Sequence, residues 1–168
     1  LTSGNKLFVP ALPTYLYVRK YKGQYDSLFV DVNYSGQLFA KYLRNGRMII
    51  SLSKYLFEYK KGQLLLLKQL PAPITYLYEG KNDELWVSTY NGLFKVSTKN
   101  WKILNGYLEK EFISSTVLDF ESGLWVTTVN SGVFYLQKGC LFIIFAHNCT
   151  VKEISNPQQL FLQENHVG

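Results

Sequence analysis

Side chains able to do chemistry are few in this chain. His147 and His166 are its two histidines, and neither sits in a His-Glu-x-x-His pattern. Gly-x-Ser-x-Gly and phosphate-loop patterns are also missing. A glycoside hydrolase needs two carboxylates facing one pocket, whereas Asp26, Asp31, Glu58, Glu79, Glu109, Glu111 and Glu121 are scattered, mostly at turns. Cys140 and Cys149 are too few for a disulfide scaffold or an all-cysteine zinc site. They read as two free thiols, with a local disulfide in an oxidising compartment as the alternative. The expectation is no catalytic residue, no metal site and no cofactor. The residues best suited to touch a ligand stand in tight turns. Tyr90 and Asn91 offer a ring to stack and an amide to hydrogen-bond, Asn130 and Ser131 sit in a matching turn, and Lys54 and Tyr55 in a third. The competing reading of all six is that they are hairpin turns and nothing more.

The elements that position these turns recur along the chain. Leu85-Trp86-Val87-Ser88-Thr89-Tyr90-Asn91-Gly92-Leu93-Phe94 is echoed by Leu124-Trp125-Val126-Thr127-Thr128-Val129-Asn130-Ser131-Gly132-Val133-Phe134, with the tryptophans 39 residues apart. An acidic turn precedes each: Asn82-Asp83-Glu84 in one, Asp119-Phe120-Glu121-Ser122-Gly123 in the other. Weaker copies put Phe8 and Ile49 in the tryptophan slot, and a further copy puts Phe161 there, so successive slots lie 41, 37, 39 and 36 residues apart. Each unit reads strand, polar turn, aliphatic–aromatic–aliphatic strand, Asn-Gly-type turn, third strand, Lys/Gly turn, fourth strand. Asn-Gly between alternating strands is a strong hairpin signal. Four short antiparallel strands per roughly 40 residues is the unit of a β-propeller blade. The units run approximately 1–30, 31–70, 71–108 and 109–148, with a truncated fifth over 149–168. The expected fold is all-β, about four blades of four antiparallel strands, as a fragment of a larger propeller. A helical solenoid is excluded by glycines and β-branched runs every few residues; a β-sandwich would leave the recurring Leu-Trp-Val unexplained.

The repeated residues read as structural. Trp86 and Trp125 sit mid-strand between aliphatic neighbours, where a large ring can fill the wedge between blades. Ile49 in the same slot suits a core position and would not suit a stacking platform for a ligand. Asp119 and Asp83 are expected to bond their own turns, with Gly123 closing one of them. Gly92 and Gly132 supply turn positions with φ above zero. Ser88, Thr89, Thr127 and Thr128 are expected to bridge neighbouring blades through hydroxyl-to-backbone bonds.

Composition agrees with a folded β-protein. Apolar residues make up 47% of the 168, enough surface to bury against the entropy of ordering the chain, which excludes a disordered segment. Aromatics at 16% favour strands. No stretch approaches the roughly 18–20 apolar residues of a membrane-spanning helix. The net charge is +6, with Lys20, Lys22, Arg44, Arg47, Lys60, Lys61, Lys95, Lys99 and Lys102 spread over turns and strand ends. Nucleic-acid binding needs a contiguous basic face with exposed aromatics; here the aromatics alternate within strands, so the charge reads as a solvated rim and no nucleic-acid partner is expected.

The run over 119–134 and its partner over 83–94 resemble the two-component-regulator propeller repeat: an acidic-Gly turn, Leu-Trp-Val, a Ser/Thr-Thr pair, then Gly-Leu/Val-Phe. The first two copies depart from it, lacking both the tryptophan and the acidic turn. The resemblance is carried mostly by 74–136 and implies a sensor region of a histidine kinase or hybrid two-component system, of the Bacteroidetes kind. It further implies ligand sensing without catalysis, in a periplasmic or extracytoplasmic part of an inner-membrane protein. The implied partners are a small-molecule or glycan ligand and the rest of the sensor protein. Open blade edges could also pair two copies into a homodimer. A scaffold propeller for protein interaction, or a propeller lyase or hydrolase, are the alternatives. Ligands should meet the axial end where the second-to-third-strand turns and the blade connectors lie, near Thr14, Lys54, Tyr55, Tyr90, Asn91, Lys110, Glu111, Asn130 and Ser131.

Overall fold

The computed structural model describes the backbone of residues 2–3, 6–12, 15–19, 25–30, 32, 37–137, 140–144 and 151–154, and the side chains of 28, 30, 32 and 37–137. Among the described residues there are strands and no helix. The first sheet contains β1 (Thr2–Ser3), β2 (Lys6–Leu12), β3 (Tyr15–Arg19) and β4 (Tyr25–Phe29). The second contains β5 (Leu38–Tyr42), β6 (Met48–Leu52), β7 (Tyr55–Lys60) and β8 (Gln63–Gln69). The third contains β9 (Ile74–Glu79), β10 (Glu84–Thr89), β11 (Gly92–Ser97) and β12 (Ile103–Tyr107). The fourth contains β13 (Ile113–Leu118), β14 (Leu124–Thr128), β15 (Val133–Gln137), β16 (Cys140–Ile144) and β17 (Val151–Ile154). Every sheet is an antiparallel meander in chain order. The leading strands are neighbours in space: β5 packs on both β1 and β9, and β9 packs on β13. The sheets are therefore blades around a common inner edge. Val151–Ile154, which open the last repeat by spacing, pair with β16, Val151 opposite Ile144, and give the fourth sheet its fifth strand.

The core lies in the seams between blades, and strand periodicity explains why. Successive side chains of a strand point to opposite faces. On β6, Met48, Ile50 and Leu52 join Leu28 and Val30 of the preceding blade, while Ile49 faces forward to Leu85, Val87 and Ile74. On β10, Leu85 and Val87 face back, while Trp86 faces forward to Leu124, Val126 and Phe134. All five residues of β6 are buried, and so are the last five of β10. Burying each such aliphatic side chain is worth about 1.5–3 kcal/mol.

Polar bonds cross the same seams. Between the third and fourth blades, the Thr75 hydroxyl donates to the Ile113 carbonyl at 2.5 Å, and the Ser88 and Thr116 hydroxyls meet at 2.9 Å. Between the second and third, Arg47, held by Glu58 of its own blade through two bonds of 3.1 and 2.8 Å, donates to the Thr98 carbonyl at 2.9 Å and lies over the Trp101 ring at 4.9 Å. Arg44 donates its backbone N–H to Glu79 and its guanidinium to the Gly80 carbonyl. These contacts correct the expectation for the paired hydroxyls. Thr89 and Thr128 donate to the carbonyls of Gly92 and Gly132 inside their own turns, and Thr127 bonds Ser114 and Ser115 of its own blade. Among the described residues, only Ser88 of the four bridges blades, and it meets a hydroxyl where a backbone group was expected.

Ser51, 37 residues before Ser88, is fully buried, and its hydroxyl has no partner among the described residues. The position matching Thr116 there holds Leu77, which cannot bond it. Ser51→Ala should accordingly leave stability unchanged or raise it by up to about 1 kcal/mol, whereas Ser88→Ala, which strands the Thr116 hydroxyl, should cost about 1–3 kcal/mol. Urea melts of the two variants check the contrast; equal losses would sink it.

Candidate functional site

One face of the blades carries the turns β6–β7, β10–β11 and β14–β15 together with the connectors 70–73 and 108–112. The connectors are stitched to the turns by a repeated bond. Tyr90 N–H donates to the Pro73 carbonyl at 3.0 Å, and Val129 N–H, 39 residues on, donates to the Phe112 carbonyl at 2.9 Å. Connector 70–73 also ties back to the second blade: Leu70 N–H donates to the Lys54 carbonyl and Ile74 N–H to the Ser53 carbonyl, both at 2.8 Å. Connector 108–112 ties back in the same way, Gly92 N–H donating to the Glu111 carbonyl at 2.8 Å. Each connector is thus clamped between the turns of two blades.

The seam between the third and fourth blades brings most of the expected site residues together. Tyr90 is 45% exposed, and its ring lies 4.3 Å from that of Phe112, centroid to centroid. Asn91 is exposed beside it, its backbone N–H held at 3.1 Å by the Thr89 hydroxyl. Across the connector, the Ser131 hydroxyl donates to the Glu111 carboxylate at 2.6 Å, and the Ser131 N–H is held by Thr128. Asn130 is exposed in the same turn. The connector backbone is left-handed at two non-glycine residues, Leu108 (φ 50°) and Lys110 (φ 73°), a conformation costing roughly 1–2 kcal/mol per residue. Lys54 and Tyr55 are one seam away, the Lys54 ammonium 5.8 Å from the centre of the Tyr55 ring. Phe112 escaped the sequence reading, although the residue just before each inner strand, Pro73 or Phe112, recurs at the repeat spacing. Thr14, Cys149, His147 and His166 lie outside the described residues, as does the side chain of Cys140. Among the described residues no cluster of three His, Cys, Asp or Glu side chains could hold a metal ion.

Of the repeat positions expected to be structural, Gly92 and Gly132 close the turns of this same face, and the others sit in strands or on the opposite face. Gly92 and Gly132 are left-handed at φ 105° and 83°. Trp86 is buried and Trp125 half-buried. Asp119 closes its turn by accepting from Gly123 N–H at 2.7 Å, and its other oxygen accepts from the Trp125 indole at 3.0 Å and the Tyr135 hydroxyl at 3.2 Å. Glycine at 123 suits this arrangement, because a Cβ there would collide with the Tyr135 ring and hydroxyl. Asp83 is not the counterpart of Asp119. Gly80 N–H bonds the Glu84 carbonyl as Asp119 N–H bonds that of Gly123, so the residue in Asp119's place is Gly80. Asp83 instead matches Ser122, both left-handed, and its carboxylate pairs with Lys99 at 3.1 Å. With no carboxylate at 80, the buried Trp86 indole N–H has no partner among the described residues. Lys95 takes the place of Tyr135 opposite the ring, 5.4 Å from its centre and paired with Glu84.

Comparison with solved structures decides the architecture. The chain superposes on the extracellular domain of BT4673 from B. thetaiotaomicron, described as a hybrid two component system, with a TM-score of 0.69 and 17% identity over 93% of this chain and 23% of that one. It folds as blades of a β-propeller. The extracellular domain of BT3049 from the same organism, also described as a hybrid two component system, matches with a TM-score of 0.53 and 15% identity over 91% of this chain and 29% of that one. A catalytically inactive virginiamycin B lyase from Staphylococcus aureus matches with a TM-score of 0.56 and 14% identity over 94% of this chain and 68% of that one. The chain thus spans about a quarter of the length of the sensor-system domains. No protein-family model and no curated protein matches the chain.

Burial pushes the Asp119 carboxyl up, but the bonds from Trp125, Gly123 and Tyr135 outweigh it and hold the group below the ordinary aspartate value of 3.8. A carboxyl lowered on folding contributes stability above its unfolded value, and that contribution is lost as pH falls through the folded value. Glu58, lowered chiefly by its bond to Arg47, adds to the same acid loss. Asp119→Asn should reduce stability at neutral pH and show a shallower decline between about pH 4 and pH 2 than the parent. Thermal melts across that range test this; parallel declines would remove the clamp as a cause.

Proposed function

We propose that this chain is a non-catalytic, ligand-sensing part of an extracytoplasmic propeller, belonging to a two-component sensor anchored in the inner membrane. The observation that carries the reading is the clamped connector 108–112. It is bonded to the turns of two successive blades, carries two left-handed non-glycine residues, and sets Phe112 under the exposed ring of Tyr90. Strained backbone held by its surroundings is a reason to look for function at that place. A ligand resting on Tyr90 and bonding Asn91, Asn130 or Ser131 would bear on both blades at once. Its binding energy would bias the packing across the seam, which is the way a sensor converts occupancy into a conformational preference. Lys54 and Tyr55 extend the same face over the next seam. The likeness to extracellular domains of sensor systems supports this reading through the fold, and a fold alone hosts many functions.

The test is a thermal-shift screen of the chain against neutral mono- and oligosaccharides and other small polar molecules. The expected result is a hit whose shift disappears in Tyr90→Ala and falls in Asn91→Ala, with the ligand recovered chemically unchanged. A hit that survives both substitutions would move the site elsewhere. Conversion of the ligand into a product would favour the lyase or hydrolase reading.

A further inference from the structure

We propose that the outer edge of β8 is a self-association surface, on which two copies of this chain pair β8 with β8, antiparallel, about a twofold axis at Leu66. The inference is independent of the ligand reading. Exposed sheet edges are normally blunted by charge, proline or short length, yet β8 is seven residues long and carries leucine at 64, 65, 66 and 67. Leu65 and Leu66 are 45% and 55% exposed. An outer edge of this molecule already accepts an added antiparallel strand, since β17 lies along β16. The edge of β12 is a poorer template, with Asn105 and Gly106 in its centre.

The residues of β8 select a second copy as the occupant. In an antiparallel pair centred on Leu66, Leu66 of one copy faces Leu66 of the other, and the flanking Leu65 and Leu67 meet across the axis. Lys68 lies off the axis and past the irregularity at Leu67, so no lysine stands opposite a lysine. The surface is self-complementary, as a twofold interface must be. One device limits it. Pairing shifts between Leu56–Lys68 and Phe57–Leu66, so Leu67 is a bulge, and Leu104 forms the same bulge 37 residues later. A bulge sharpens the local twist, which confines contact to one short ladder. The buried area then falls below the roughly 1,200 Å² of a standard interface, so the dimer is weak and concentration-dependent. Because each copy carries a charge of +6, with Lys60 and Lys61 beside the edge, screening by salt should strengthen it.

Sedimentation velocity of the purified chain from about 1 to 100 µM tests this. The expected result is a monomer–dimer equilibrium that tightens with added salt. Leu66→Lys should weaken it by about tenfold or more by opposing two charges across the axis, while Leu104→Lys leaves it unchanged. Should Leu66→Lys impair folding, Leu66→Cys in a Cys140→Ser, Cys149→Ser background serves instead, and mild oxidation should link two copies. A chain monomeric throughout the range, a dimer indifferent to both changes at Leu66, one that loosens with salt, or one abolished by Leu104→Lys would each overturn the proposal.

Discussion

The second strands of the second and third blades, β6 and β10, bury both of their faces, and the rest of the described structure is arranged around that requirement. A single forward-facing side chain, Ile49 or Trp86, enters the next blade, while its two neighbours on the strand reach back into the previous one. Blades joined this way cannot slide by one residue, because a slip would exchange the two faces of the strand and face every partner the wrong way. Trp125 occupies the same position in the fourth blade and is only half-buried, braced by Tyr135 and Asp119.

With the seams fixed by packing, the two ends of the blades are free to differ. One end is closed by charge: Arg44 and Arg47 cross from the second blade to the third, and Lys81 reaches Ser122 of the fourth. The other end is closed by backbone bonds between turns and connectors, which leaves side chains such as Tyr90, Asn91 and Asn130 facing solvent. This division is why the second end is the better place for recognition. Exposed side chains such as Asn91 and Asn130 are positioned there by the backbone, while the Ser131 hydroxyl is held by Glu111.

Much of the blade was legible from the residues in order. The alternation of Leu85, Trp86 and Val87 carries the two-sided burial of β10, and Asn91-Gly92 carries the turn after it, because both signals are local. Position 49 was readable as core because isoleucine fills the slot of a tryptophan. The match between Asp83 and Asp119 misled, since both precede the tryptophan strand in an acidic turn. The turns align by their backbone bonds, and those place Gly80 where Asp119 stands. Trp101 drew no attention in the sequence, although it lies buried, left-handed at φ 58° and under Arg47; nothing in its immediate neighbours announces a partner more than fifty residues away.

By itself, then, the sequence determined the strand period, the turn chemistry and the repeat of about 36 to 41 residues, because each depends on residues adjacent along the chain. The tertiary structure alone decided which hydroxyls cross a seam, that Glu111 meets Ser131, that Phe112 lies under Tyr90, and that Leu67 and Leu104 are bulged. Those outcomes depend on distances between residues of different strands and blades. Such distances are set by how tightly the seams pack, and by nothing written within one repeat.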